Sequence, residues 1–216
     1  MIVAGIDEAG KGPVLGPMVI AIFEVPEERL PELVSAGARD SKLLSERRRE
    51  EVLGRLGKIG SWRKLVISAA ELDARGGSLN TFEISKIAEL INASSAGKVY
   101  IDSIEANGER LAGKVSALLK RKVELVAKPK ADRDYPVVSA ASIVAKVTRE
   151  REIAELKKEY GEFGSGYPSD ERTISYLKDF VRRNGFPPAI ARRTWATTEN
   201  IIKGLEESSQ KRLPVD

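Results

Sequence analysis

Four acidic residues occupy positions where carboxylates are useful for chemistry. Asp7 and Asp102 each follow a short apolar stretch that predicts a strand, Glu8 follows Asp7, and Asp132 ends a Lys-Pro-Lys-Ala-Asp segment. In open α/β sheets, ligands bind outside the carboxyl ends of the strands. Carboxylates that meet there repel one another unless a divalent cation lies between them, and an oxygen-only site suits Mg²⁺ or Mn²⁺. Two such ions about 4 Å apart can hold the attacking and leaving oxygens of a phosphodiester.

A structural role also accounts for each of these acids taken singly. Acidic residues at strand ends often cap the helix or turn that follows. Convergence of all four carboxylates is a tertiary property that their spacing along the chain does not establish. The residues alone therefore leave a metal site and a set of capping residues as two open interpretations.

Two glycine-containing segments have residue types that suit contact with a nucleic acid. In Gly10-Lys11-Gly12 the glycines allow close approach of the backbone to a phosphate, and Lys11 adds a positive charge. Tyr167 lies in a Gly-Ser-Gly-Tyr-Pro segment, where its ring could stack on a sugar or base. A plain turn and a core-packed tyrosine are the corresponding structural interpretations.

Further basic residues could contact phosphates. Ser41 and Lys42 follow Asp40, Lys130 lies two residues before Asp132, and Arg192 lies close to Trp195 in a basic-aromatic cluster. A solvated loop or a helix-packing tryptophan with surface arginines explains the same patterns. We predict Ser41, Lys42, Lys130 and Arg192 as substrate-binding residues.

The composition excludes several kinds of catalyst. The 216 residues include no Cys and no His, which excludes thiolate nucleophiles, Cys-based metal centres and a Ser-His-Asp triad. Carboxylates, Lys, Tyr, Ser, Thr or a hard metal remain. The chain has 36 Lys and Arg against 32 Asp and Glu, and this net charge of +4 fits a phosphate-rich partner.

The same sequence has neither a bilayer-spanning apolar run nor a basic segment before its first apolar stretch. A span needs about 18 consecutive apolar residues, and a signal peptide needs a basic n-region. We therefore expect no membrane segment and no signal peptide, and we expect a cytoplasmic protein.

The predicted elements that must position these residues alternate between strand and helix. Strands are predicted at 2–6, 18–25, 62–68, 98–101 and 123–127, and the first two are expected to form an antiparallel hairpin. Helices are predicted at 46–56, 80–92, 108–119, 136–160, 169–183 and 197–207. This order predicts an α/β domain with a mixed sheet at 1–168 and a small helical C-terminal extension at 169–216.

The motifs, taken together and in order, resemble those of archaeal-type ribonuclease HII, and the resemblance runs from about residue 2 to residue 202. Its most specific segments are 5–13 (GIDEAGKGP), 39–42 (RDSK), 100–102 (YID), 130–132 (KAD), 136–146 (PVVSAASIVAK) and 164–170 (GSGYPSD). The resemblance implies a ribonuclease H-like fold. It also implies cleavage of the RNA strand in RNA–DNA hybrids and nicking 5′ of single ribonucleotides in duplex DNA, with roles in ribonucleotide excision repair and DNA replication.

The resemblance also implies roles for particular residues. The four acids named above would bind two ions, Mg²⁺ or Mn²⁺, and the products would carry 3′-hydroxyl and 5′-phosphate ends. Gly10, Lys11, Gly12 and Tyr167 would recognise the 2′-hydroxyl at the RNA-to-DNA junction.

The chain departs from the family pattern at three places. Lys11 stands where many relatives have Arg, so the bidentate fork is missing. Pro129 stands where relatives often have His, so no catalytic role is expected there. The tail at 209–216 lacks the aromatic residues with which some archaeal relatives dock on the sliding clamp, so a clamp partner is not expected. We expect a monomer.

Two other functions compete with this interpretation. Another ribonuclease H-like phosphotransferase would cut all-DNA substrates, but residues 164–170 match the ribonuclease pattern. A non-catalytic nucleic-acid-binding module would bind with salt sensitivity and without turnover. Four acids beside phosphates would weaken such binding, so the sequence favours the endoribonuclease.

Overall fold

The computed structural model describes residues 1–38 and 44–210, apart from the side chains of residues 206 and 208–210. Its strands are β1 (Ile2–Ala9), β2 (Met18–Pro26), β3 (Ser61–Ile67), β4 (Lys98–Asp102) and β5 (Glu124–Lys128). Its helices are α1 (Leu30–Ala36), α2 (Glu46–Leu56), α3 (Ala69–Asp73), α4 (Leu79–Asn92), α5 (Gly108–Ser116), α6 (Ala131–Asp134), α7 (Pro136–Tyr160), α8 (Glu171–Asn184) and α9 (Ala196–Gln210). A 3₁₀ turn, Glu27–Arg29, precedes α1.

The strands form one mixed sheet in the order β3-β2-β1-β4-β5. β1 and β2 pair antiparallel, which confirms the predicted hairpin, while β4 runs parallel to β1 and β5 parallel to β4. Three parallel strands therefore end at the same edge of the sheet. This is the edge at which the sequence predicted convergence of the acids.

Local sequence signals predicted two helices at their observed bounds. α2 begins after Ser45, whose hydroxyl accepts a hydrogen bond from the Arg48 amide at 3.3 Å, and ends at Gly57. α7 begins at Pro136 and ends before Gly161, which has a φ of 78°. Capping serine, proline and glycine act within one turn of the chain, so these ends do not depend on tertiary contacts.

The ends of several other elements differ from the prediction by up to three residues, as in α5, which ends at Ser116 and not at residue 119. Two larger differences concern β1 and three short helices. β1 continues through Asp7 and Glu8 to Ala9, because pairing with β2 places Asp7 opposite Ala21 and Glu8 opposite Ile20. The helices α1, α3 and α6 were not predicted, since none exceeds seven residues and so short a segment shows little periodicity.

The chain divides into two compact units, each with its own core. The first comprises Met1–Ala9, Val19–Val66 and Gly76–Glu150. In its core, apolar side chains of β1 and β2 pack with those of α1, α2 and the first half of α7, for example Val3, Phe23, Leu33, Leu56 and Val144. Small residues of α7, such as Ala140 and Ala141, let that helix approach the sheet closely.

The second unit comprises Gly10–Met18, Ile67–Arg75 and Arg151–Asp216. Its core gathers apolar side chains from the segment after β1, from the second half of α7, and from α8 and α9, for example Val14, Ile153, Phe163, Leu177 and Ile201. No helix among the described residues has the length and apolarity needed to cross a membrane. The predicted domain boundary between residues 168 and 169 stays a prediction.

Candidate active site

Strand register brings Asp7 and Asp102 together at the edge of the sheet. Ile6 on β1 lies opposite Ile101 on the parallel strand β4, so the next residue on each strand lies at the same level. Side chains at one level of adjacent parallel strands leave the sheet on the same face, and neighbouring strands are about 4.8 Å apart. The register of β1 with β4 therefore makes the two carboxylates neighbours.

A tight turn after β5 adds Asp132 to this pair. Lys130 adopts a left-handed conformation, with a φ of 59° and a ψ of 36°, and reverses the chain into α6. The Ala131 amide then donates a hydrogen bond of 3.0 Å to Oδ1 of Asp102. Asp7, Asp102 and Asp132 each offer a carboxylate oxygen within 4.8 Å of the others, and Asp132 is only 2% exposed.

Burial raises the pKa of Asp7 from 3.8 to about 7. Hydrogen bonds from the Ser142 hydroxyl and the Glu8 amide, the latter at 2.8 Å, oppose this shift, while the charges of Asp102 and Asp132 add to it. Without a cation the cluster therefore retains a proton near neutral pH. A divalent cation would favour the ionised form of Asp7 by supplying opposite charge.

The structure does not include Glu8 in the three-acid cluster. The carboxylate oxygens that lie within 4.8 Å of one another belong to Asp7, Asp102 and Asp132, and Glu8, the neighbour of Asp7 on β1, is not among them. What Glu8 contributes directly is its amide, which donates to Oδ1 of Asp7. Its role as a fourth metal ligand stays a prediction.

Ser142 is a site residue to which the sequence analysis assigned no role. It lies on α7, is completely buried and hydrogen-bonds to Asp7. The available signal was a serine within the apolar segment 136–146, because a buried hydroxyl needs a polar partner. Which partner it has depends on the packing of α7 against β1.

The second unit brings the glycine segment and Tyr167 together. Gly10 has a φ of 82°, a conformation that favours glycine, and a Cβ atom built on Gly12 would lie 3.7 Å from the Tyr167 ring. The Gly166 carbonyl accepts hydrogen bonds from the amides of Val14 at 2.8 Å and Leu15 at 3.2 Å. Tyr167 is 38% exposed, so its ring is accessible beside Gly12.

The structure revises the role predicted for Arg192. Its side chain is completely buried, and its guanidinium donates to the carbonyls of Gly10, Lys11 and Gly16 at 2.7, 3.0 and 3.0 Å. This environment differs from the exposed one that the sequence analysis assumed, and a direct contact of Arg192 with substrate stays a prediction. A basic residue near Trp195 has the same sequence signature whether it is exposed or buried.

Three other residues were predicted to bind substrate, namely Lys130, Ser41 and Lys42, and the structure describes only the first of them. Lys130 is exposed at the left-handed turn before Asp132, and its contact with substrate stays a prediction. Ser41 and Lys42 lie outside the described residues.

The chemistry of the donor set fits a hard divalent cation. Asp7, Asp102 and Asp132 offer carboxylate oxygens, which are the ligands that hard cations prefer. These three residues are the ones that would hold Mg²⁺ or Mn²⁺. The chain has no thiolate and no imidazole ligand, because it contains neither Cys nor His.

A mixed sheet with clustered acids at the edge where its parallel strands end has the layout of a ribonuclease H-like protein with a site for a divalent cation. The family model of Ribonuclease HII matches residues 4–198, and the chain belongs to this family. It is thus a hydrolase, an endonuclease of ribonuclease H type. Both the resemblance noted in the sequence and the expected fold are confirmed.

Relatives match over nearly the whole chain. Ribonuclease HII of Methanococcus maripaludis strain C5 is 44% identical over 214 residues, which cover 96% of this chain and 90% of that protein. The crystal structure of the ribonuclease H2 from Pyrococcus horikoshii OT3 matches with a TM-score of 0.92 and 42% identity, covering 96% of this chain and 100% of that one.

A third comparison bears on the expected absence of a clamp partner. The structure of the PCNA:RNase HII complex from Archaeoglobus fulgidus matches with a TM-score of 0.84 and 40% identity, covering 92% of this chain and 96% of that one. That relative assembles with PCNA, which stands against the expectation that we drew from the tail of this chain. The comparison therefore gives no support to excluding the clamp.

We expect the metal-free protein to lose stability as the pH rises from about 4 to about 7. Because burial raises the pKa of Asp7 to about 7, the folded chain binds a proton in this range that the unfolded chain has released. Asp7→Asn removes the contribution of Asp7 to this pH dependence and raises the free energy of unfolding at pH 8 by on the order of 2 kcal/mol. Urea unfolding in EDTA at several pH values measures both effects.

The matched control for this experiment is Asp179→Asn, which removes an exposed carboxylate on α8. It should leave the pH dependence of wild-type stability unchanged. Parallel stability curves for Asp7→Asn and wild type would contradict the expected protonation of Asp7.

Proposed function

We propose that this enzyme hydrolyses the RNA strand of RNA–DNA hybrids and nicks 5′ of single ribonucleotides embedded in duplex DNA. The products carry 3′-hydroxyl and 5′-phosphate ends. The observation that carries the proposal is the cluster of Asp7, Asp102 and Asp132, whose carboxylate oxygens lie within 4.8 Å of one another in a chain of this family. Such a cluster suits divalent cations at a phosphodiester and has little use in a binding module.

Two divalent ions, Mg²⁺ or Mn²⁺, supply Lewis acidity at the phosphodiester when they are bound. The residues that would hold them are Asp7, Asp102 and Asp132, with Glu8 as a fourth ligand. The Ser142 hydroxyl and the Glu8 amide orient the Asp7 carboxylate, and the Ala131 amide orients that of Asp102. Fixed hydrogen bonds to the ligands limit the rotation of their carboxylates.

Recognition of the ribonucleotide is assigned to the second unit. The 2′-hydroxyl is the group by which a protein distinguishes RNA from DNA at a given position. Gly10, Lys11 and Gly12 bring backbone donors to it, and Tyr167 adds a ring and a hydroxyl beside Gly12. Lys130, Ser41 and Lys42 contact the phosphates of the duplex.

The proposal extends to the setting in which the enzyme acts. Removal of ribonucleotides from DNA belongs to excision repair and replication, and we assign the enzyme to both processes. We place it in the cytoplasm. We assign it a monomeric state. We also propose that residues 169–216 act as a helical extension of the catalytic domain at 1–168.

The test is a cleavage assay on two labelled DNA duplexes, one with a single embedded ribonucleotide and one entirely of DNA. We expect nicking on the 5′ side of the ribonucleotide with Mg²⁺ or Mn²⁺, none with EDTA, and none on the all-DNA duplex. Tyr167→Phe should lower kcat/KM on the first duplex by roughly tenfold, because one hydrogen bond made to the substrate is lost.

Tyr160→Phe removes a hydroxyl at the end of α7 and serves as the matched control, with wild-type activity expected. Cleavage of the all-DNA duplex would favour another ribonuclease H-like phosphotransferase. Binding of both duplexes without cleavage of either would favour a nucleic-acid-binding module.

A further inference from the structure

The segment after β1 is hydrogen-bonded to the buried guanidinium of Arg192. The Arg192 guanidinium donates through Nη2 to the Gly10 carbonyl at 2.7 Å and through Nη1 to the Lys11 carbonyl at 3.0 Å. Its Nε donates to the Gly16 carbonyl at 3.0 Å. One planar group therefore fixes three peptide units at both ends of the segment 10–16, which we call the glycine loop.

These hydrogen bonds also determine where the amides of the glycine loop point. In a trans peptide unit, the carbonyl of one residue and the N–H of the next point in opposite directions. Since the Gly10 and Lys11 carbonyls point at Arg192, the N–H groups of Lys11 and Gly12 point away from it. Gly12 is exposed, so the outward side of the glycine loop is the side that faces solvent next to Tyr167.

The surroundings hold Arg192 in this position. Its amide donates to the Val14 carbonyl at 2.9 Å, and its guanidinium lies 5.0 Å from the centroid of the Trp195 ring. The Asp73 carboxylate accepts hydrogen bonds from the amides of Arg193 at 2.8 Å and Thr194 at 3.1 Å. The backbone at Arg192 and at the two residues that follow it is thus fixed, and a rigid neighbourhood is what precise positioning requires.

We infer that Arg192 is a positioning residue for substrate selectivity. By binding the inner carbonyls of the glycine loop, it presents the amides of Lys11 and Gly12 to the ribose hydroxyl. This inference rests on the proposed function, in which the glycine loop recognises the ribonucleotide. It assigns the selectivity of a loop that is exposed at Gly12 to a buried side chain that acts from the other side of that loop.

Arginine is the residue type that this arrangement requires. Its fork offers donors in fixed directions, and here three of its nitrogens are used at once. An ammonium group is a point charge on a flexible stem and does not match three separated carbonyls. Arg192→Lys therefore keeps the charge and loses the geometry, whereas Arg192→Gln keeps a planar donor and loses the charge.

The experiment measures kcat/KM on the duplex with a single ribonucleotide for Arg192→Lys, Arg192→Gln, Gly12→Ala and the double variant Arg192→Lys/Gly12→Ala. We expect each single variant to lose about 10- to 100-fold. If Arg192 acts through the glycine loop, the double variant is no slower than the slower single variant. Mn²⁺ affinity by calorimetry should stay at the wild-type value, since the three acids belong to the first unit.

Arg182→Lys is the matched control, because it makes the same change at an exposed residue of α8 and should leave kcat/KM unchanged. Circular dichroism at the assay temperature checks that the variants are folded. Additive losses, wild-type kcat/KM for Arg192→Lys, or unfolding of both Arg192 variants would each overturn the inference. Failure of the wild-type chain to cut at a ribonucleotide would instead refute the proposed function, and the inference with it.

Discussion

Asp102→Asn is expected to lower the cleavage rate on an RNA–DNA hybrid by about 10³-fold or more, which is roughly 4 kcal/mol of barrier. Asp102 ends β4, and its carboxylate lies within 4.8 Å of those of Asp7 and Asp132. Asparagine keeps the oxygen that accepts the Ala131 amide, so the turn before α6 survives. It removes the negative charge, and with it an anionic ligand for a hard cation.

Single-turnover cleavage with saturating Mg²⁺ or Mn²⁺ measures this loss, and calorimetric titration with Mn²⁺ measures the accompanying loss of affinity. Asp134→Asn is the matched control, because it makes the same change at an exposed acid of α6, which pairs with Lys128. It should cleave at the wild-type rate. Wild-type cleavage by Asp102→Asn at saturating Mn²⁺ would refute the role of the three-acid cluster.

Gly5→Ala is expected to destabilise the protein by at least about 3 kcal/mol. Gly5 lies in the middle of β1, and a Cβ atom there would lie 2.3 Å from the Val137 carbonyl oxygen and 2.5 Å from the Val138 nitrogen. Both are backbone atoms of α7, so no side chain can rotate away to relieve the overlap. The sheet and α7 would have to separate, and the core between them would lose its close packing.

The free energy of unfolding in urea measures the effect. Gly113→Ala is the matched control, since Gly113 lies inside α5 and a Cβ there would meet nothing within 4 Å. We expect this variant to be more stable than wild type by roughly 0.5–1 kcal/mol, because alanine favours a helix over glycine. Equal stability of Gly5→Ala and wild type would show that α7 does not approach β1 this closely.

Prediction from the sequence succeeded where the signals are local. α2 and α7 have their predicted bounds, because Ser45, Pro136 and Gly161 act on the adjacent turn alone. β1 was predicted to end at Ile6, since acidic residues do not continue an apolar run. Pairing of Asp7 with Ala21 and Glu8 with Ile20 extends it, and this pairing depends on another strand.

The candidate site was likewise predictable where it depends on local signals and not where it depends on packing. Acids at strand ends indicated a shared edge, and Asp7, Asp102 and Asp132 do meet there. Glu8 follows Asp7 on β1, and its role as a metal ligand stays a prediction, because adjacent side chains of a strand alternate between faces and no local signal shows which of them share a site. Arg192 was predicted as an exposed phosphate contact, but its side chain is buried in the structure. No pattern in the sequence shows that an arginine is buried.

The sequence by itself determined which chemistry is available to this protein. A chain without Cys or His is left with oxygen ligands, and the motifs in their order identify the family. Only the tertiary structure decided which of those residues meet. Asp7, Asp102 and Asp132 belong to different elements, and the register of β1 with β4 and the turn at Lys130 bring them together. Arg192 is far from Gly10 in the chain. Only folding brings its guanidinium to the carbonyls of the glycine loop, to which it donates hydrogen bonds.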